Sequence, residues 1–138
     1  MRVADHLAVT RDRIELGRLG EDLAARSLTH KGWEVIARNV NLSRGELDLI
    51  ARDGDTLVFV EVKTLRTRVD ERGSAPEHAF LAVDGRKQSK IRRLAAEWLA
   101  LGCTPAGIAE FRFDVIGVEF DDDPPNGRPR LEHIEHAF

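Results

Sequence analysis

Two runs of strand-forming residues, Glu46–Ala51 and Thr56–Thr64, flank the dipeptide Asp53-Gly54, a strong hairpin signal. A type I′ turn suits that pair, because both central residues need positive φ. With Asp53 and Gly54 at the tip, Ile50 faces Leu57, Asp48 faces Phe59 and Glu46 faces Glu61. Alternation along the strands then puts Glu46, Asp48, Ile50, Leu57, Phe59, Glu61 and Lys63 on one face. The other face, with Leu47, Leu49, Val58, Val60 and Val62, is apolar and must be buried.

Around this hairpin the pattern predicts a helix over Ile14–His30, its apolar stripe Leu16, Leu19, Leu23 and Leu28, with Gly32 as the stop. Gly17 and Gly20 weaken that helix, so a close backbone approach to the sheet is the expected offset. Trp33–Val40 reads as a strand, and Asn41–Arg44 as a polar corner. Leu65–Ala75 has loop composition, and Pro76 opens a second helical region that Asp84-Gly85 interrupts. Asp84 is placed to cap a helix over Arg86–Leu101 whose inward stripe is Ile91, Leu94, Ala95, Trp98 and Leu101. Gly102 and Pro105 end it. Phe111–Phe120 is apolar enough for a strand covered on both faces, and Arg130–His136, after a turn at Asn126-Gly127, reads as an edge strand. Residues 1–13 are expected to form a frayed N-terminal extension, and residues 14–138 a single domain.

A net charge of −3 supplies no global attraction to nucleic acid, so any such binding needs a local patch. Cys103 stands alone, which excludes an intrachain disulfide and points to a buried thiol. No apolar run reaches membrane-spanning length, and a cytoplasmic, membrane-free protein is the expectation.

The chemistry concentrates at the open end of the hairpin. Clustered carboxylates repel one another unless a cation offsets them, and a hard divalent ion takes such oxygens readily. The plainer reading is an ion-pair cluster on a solvated sheet face. Glu21, beside the small-residue stripe of the first helix, is a further acidic candidate, and Glu46 a supporting one. Lys87 lies one turn before Ile91 and should point at the same sheet end. Arg66 and Arg68 in the loop, with Arg86, Lys90 and Arg93 along one helix face, form the basic concentration expected to meet phosphates. A solvated helix face would carry the same residues. Asp114 is assigned to structural pairing, with Arg112 or with a nearby strand, and His133 and His136 lack a third metal ligand.

Asp48, twelve intervening residues, then Glu61-Val62-Lys63 resembles the Asp…Glu-X-Lys core of the PD-(D/E)XK, or restriction-endonuclease-like, nuclease superfamily. GRLGEDLAARSL, ARNV, RGELDLIARDGDTLVFVEVKT and RFDVI are similar to the words of the YraN-like family of bacterial proteins, placed in that superfamily near archaeal Holliday-junction resolvases. The resemblance spans about Leu16–Val118. It implies a three-layer α/β sandwich with a central mixed sheet and the core order αβββαβ. It also implies Mg²⁺ or Mn²⁺ at Asp48 and Glu61, with the Val62 carbonyl and Glu21 as further ligands and Lys63 orienting the attacking water. The implied activity is endonuclease-like hydrolysis of nucleic acid, DNA ahead of RNA and branched DNA among the substrates, with a homodimer left open. A nucleic-acid-binding or assembly module on the same fold is the alternative.

Overall fold

The computed structural model describes residues 3–67, 81–121 and 129–138. Its elements run α1 (Val3–His30), β1 (Glu34–Leu42), β2 (Gly45–Asp53), β3 (Thr56–Thr67), α2 (Gly85–Ala100), β4 (Glu110–Asp121) and β5 (Arg130–Ile134). The five strands form one sheet in sequential order. β3 and β4 are parallel and every other neighbouring pair is antiparallel, so the sheet is mixed, with the αβββαβ order the resemblance implies.

Each face of the sheet buries one helix. On one side Ala24, Ala25 and Leu28 of α1 pack on Leu49, Ala51, Val58, Val60, Ile116 and Val118. On the other, Ile91, Leu94, Ala95 and Trp98 of α2 pack on Leu47, Ile50, Leu57, Phe59 and Val115. β3 and β4 are thus covered twice, which is why their sequences read as apolar runs. The result is a three-layer α/β sandwich.

Helix ends follow local chemistry. Asp84 caps α2 by accepting the Lys87 N–H at 2.8 Å. Gly32 follows α1 at φ 88°, the left-handed region where a side chain is strained. α1 begins at Val3 rather than Ile14.

Several expectations are corrected. The hairpin tip is Gly54-Asp55, closed by Asp53 opposite Thr56, and of those tip residues only Gly54 has positive φ, at 61°. That pattern matches a type II′ loop, which needs positive φ only at its first central position. The pairing moves by two residues, so Ile50 faces Phe59 instead of Leu57. An even shift leaves each side chain of the tip half on its expected face. Leu47 departs from that pattern, lying in the α2-side core while Leu49 lies in the α1-side core. β1 extends through Asn41 and Leu42, so the polar corner shrinks to Ser43-Arg44. Leu101 is the C-cap of α2 and 64% exposed, and Leu19 is 47% exposed, each outside its helix's buried stripe. Cys103 is exposed, not buried. The region from Pro76 to Phe80, the turn at Asn126-Gly127, and Arg68 lie outside the described residues.

Candidate functional site

β2 pairs with β1 from Arg52 opposite Glu34 down to Gly45 opposite Leu42, but its ladder with β3 ends at Leu49 opposite Val60. β3 continues to Thr67, paired with β4. The two hairpin strands therefore fork at Asp48. Its carboxylate Oδ2 accepts the Val62 N–H at 2.9 Å, so a side chain takes the place of a backbone partner where the ladder stops. Extending the pairing count beyond the ladder brings Asp48 level with Glu61, not Glu46.

Reversal of the side-chain alternation around Asp48 decides who its neighbours are. Leu47 faces α2, so Glu46 faces α1, where Glu21 stands. One carboxylate oxygen from each of Glu21, Glu46 and Asp48 lies within 4.8 Å of the others. Glu61 follows Phe59 toward α2 and meets Lys87 there, Nζ to Oε1 at 2.7 Å. Lys63, on the same side, donates to the Ala82 carbonyl.

α1 delivers Glu21 through its neighbour Gly20. A Cβ at Gly20 would run into the Thr64 side chain, so the expected close approach is real there, whereas Gly17 has open space around it. Asn39 completes the α1 side. Its positive φ of 50° is one that asparagine tolerates, and its side chain is near enough to Glu21 to oppose the rise in that carboxyl's pKa. Sequence reasoning passed over Asn39, although an asparagine amid a strand run is a signal for such a kink.

The electrostatics are those of an overloaded acidic site. Burial pushes the Asp48 pKa up to about 7, and the Glu61 charge, the Glu21 charge and a hydrogen bond with Glu61 add to the rise against the Val62 N–H. Burial also raises Glu21, with Glu46 adding to it and Asn39 opposing. Burial lowers Lys63, followed by the charge of Lys87, against the pull of Glu61 and Asp84. Lys87 is raised, first by its hydrogen bond with Glu61.

These residues fit a hard divalent cation. Three carboxylate oxygens gathered within 4.8 Å of one another are the hard, anionic donors that such an ion takes. The structure gathers Glu21, Glu46 and Asp48 as the closest set, with Glu61 beside Asp48 but engaged by Lys87. Val62, expected to offer its carbonyl, enters through its N–H. Of the expected phosphate contacts, Lys87 sits at the acidic site, Arg86, Lys90 and Arg93 line a separate groove on α2, and Arg66 is exposed near the end of β3.

No helix among the described residues is long and apolar enough to cross a membrane. Residues 20–118 match the model of the Uncharacterised protein family UPF0102. The chain is 50% identical over 123 residues to a UPF0102 protein of Parafrankia sp. (strain EAN1pec), covering 89% of this chain and 95% of that one. It is 47% identical to one from Symbiobacterium thermophilum over 89% of this chain and 95% of the other. With one from Streptomyces coelicolor the identity is 45%, over 86% and 84%. Matched through the fork and both covering layers, the chain belongs to family UPF0102, the YraN-like family that its sequence resembles.

Proposed function

We propose that this protein is a metal-dependent phosphodiesterase acting on nucleic acid, with its reaction centre in the fork between β2 and β3. The observation that carries the reading is Asp48, a largely buried carboxylate with Glu21, Glu46 and Glu61 around it. Such a cluster opposes folding unless a cation accompanies it. Glu21, Glu46 and Asp48 would hold Mg²⁺ or Mn²⁺. Bound there, the ion lowers the pKa of a coordinated water and offsets charge on a scissile phosphate.

The chain's own residues supply the rest. The Val62 N–H fixes the Asp48 carboxylate, so this ligand group is oriented before an ion arrives. Glu61 and Lys63 share the α2 side of β3, and Lys63 is drawn toward neutrality by burial and by Lys87. A lysine so placed orients the attacking water and stabilises charge that develops on the phosphate. Lys87, one salt bridge from Glu61, holds that carboxylate beside Asp48.

The test pairs calorimetry with a cleavage screen. Wild type should bind Mg²⁺ or Mn²⁺, and Asp48→Ala should not. Single-stranded, duplex, flap and four-way-junction DNA, with RNA counterparts, should reveal cleavage that chelator abolishes. Equal metal binding by both proteins removes this site. Metal binding with no cleavage on any substrate transfers the reading to a nucleic-acid-binding or assembly module.

A further inference from the structure

Along α2 a groove of about 440 Å³ opens against the turn between β1 and β2. Arg44 stands on the turn, Arg86, Lys90 and Arg93 stand on the helix, and Leu94 contributes an apolar floor. The turn is clamped in place. Ser43 donates to Glu97 twice, from its N–H at 3.0 Å and its Oγ at 2.9 Å. Among the described residues Glu97 is the only carboxylate lining the groove, against four cations. None of those four is in an ion pair among the described residues. In a chain of net charge −3, this is a strong local reversal of sign.

The groove adjoins the acidic site at the start of α2, where Arg86 lines it and the next residue, Lys87, pairs with Glu61. A Cβ at Gly45 would stand 2.9 Å from Lys90 Cε and 3.3 Å from its Nζ, so only glycine lets this lysine lie over the start of β2. The next residue is Glu46, a member of the acidic set. Arg86, Lys90 and Arg93 share one helix stripe about 10 Å long, enough for successive phosphates of an extended strand. Among the described residues no aromatic side chain lines the groove, so they offer bases no stacking platform there.

From this we infer that the groove binds the backbone phosphates of one nucleic-acid strand, without reading its sequence, and leads that strand to the fork. The inference rests on the proposed phosphodiesterase for the strand's destination, and on the groove's own charge and shape for its occupant. The phosphates come either from a single strand or from one strand of a duplex.

Fluorescence anisotropy in chelator, with a labelled single-stranded oligonucleotide in one arm and the blunt duplex in the other, tests it over a range of salt. The variant R44A/K90A/R93A removes three groove cations, and R13A/R18A/R26A removes the same charge from exposed α1 positions on the opposite face. Circular dichroism confirms that both fold. The groove variant should bind at least ten-fold more weakly, with a salt slope shallower by about 2, the release expected for three phosphate contacts. The α1 variant should stay within two-fold of wild type. The arm that shows the groove-dependent loss names the source of the phosphates. Equal losses in the two variants, wild-type affinity in the groove variant, or no binding of either strand by wild type would each overturn the groove. Cleavage with Mg²⁺ is measured separately. Groove-dependent binding without cleavage removes the phosphodiesterase and keeps the groove, while cleavage with unchanged KM in the groove variant does the reverse.

Discussion

Asp48 and Asp114 stand on the two strands that flank β3, and their surroundings are opposite. Asp114 on β4 is fully buried and receives four hydrogen bonds: two from Arg112 at 2.8 and 3.0 Å, one from His133 Nε2 at 2.7 Å and one from the His136 N–H at 3.2 Å. Lys31 Nζ lies 2.7 Å from His133 Nδ1. An ammonium can only donate, so Nδ1 accepts and Nε2 carries the proton that goes to Asp114. Burial alone would raise the Asp114 pKa, but the hydrogen bonds from His133 and Arg112 outweigh it and hold the carboxyl below its usual range. Asp48 receives one N–H and has three carboxylates for company. A carboxylate whose lone pairs are filled by the protein is a structural pin. One surrounded by further carboxylates lacks something only a ligand can bring.

The contrast breaks most visibly through stability. Asp114→Asn keeps the shape but removes the charge that Arg112 faces, and leaving a buried partner uncompensated costs about 3–5 kcal/mol. Chemical denaturation should show a loss of that size, with metal binding at the fork preserved. A loss below about 1 kcal/mol would make Asp114 no more of a pin than Asp48. The next effect in size is kinetic. Lys63→Ala should leave the fold and most metal affinity intact and lower metal-dependent cleavage by about two orders of magnitude, the range for a positioned catalytic group. Cleavage at the wild-type rate would remove Lys63 from the chemistry.

How far these two sites could be read from the chain differs, for physical reasons. Arg112 and Asp114 lie two apart on one strand, so their pairing follows from alternation and was legible. His133 was not assigned to it, since its approach depends on β5 pairing with β4. At the fork, Glu61 and Lys63 were legible as sharing one side of β3, because an even register shift preserves faces, while Glu21 was named from its place on the first helix and from the resemblance. Placing Glu46 with Glu21 was not, since alternation predicts Glu46 on the Glu61 face. The reversal at Leu47 arises from the strands separating, and a period of two cannot announce its own interruption.

A smaller effect tests the fork without touching a carboxylate. In Gly20→Ala the added methyl meets Thr64, whose β-branched side chain leaves little room to rotate away. Overpacking of this kind costs about 1–3 kcal/mol, and α1 must move to relieve it, carrying Glu21 with it. We expect a loss of about 2 kcal/mol together with weaker Mg²⁺ binding by calorimetry. Gly17→Ala, in open space, should be neutral or slightly stabilising. Equal responses of the two variants would deny that Gly20 sets the position of Glu21.

The subtlest expectation is that the two aspartates tilt stability against pH in opposite directions. An unfolded aspartate has a pKa of about 3.9. For Asp48 the folded value is about 7, so between those limits the native state keeps a proton that the unfolded chain has released, and stability falls as pH rises through the window. For Asp114 the folded value lies below the unfolded one, so its contribution is complete above about 4 and is lost as pH falls through the folded pKa. Melting curves in chelator should therefore show wild type losing stability from pH 5 to 7.5, while Asp48→Asn, which cannot ionise, stays flatter and becomes the more stable protein at the upper end. Because Asp48 is partly reached by solvent, the gap should be about 1 kcal/mol, a few degrees in Tm for a chain of this size. Adding Mg²⁺ at pH 7.5 should raise wild type and leave Asp48→Asn nearly unmoved, since an ion that binds only the native state stabilises it by mass action. Parallel profiles for the two proteins between pH 5 and 7.5, with and without Mg²⁺, would mean that Asp48 carries no unmet charge and that the two aspartates differ only in their neighbours.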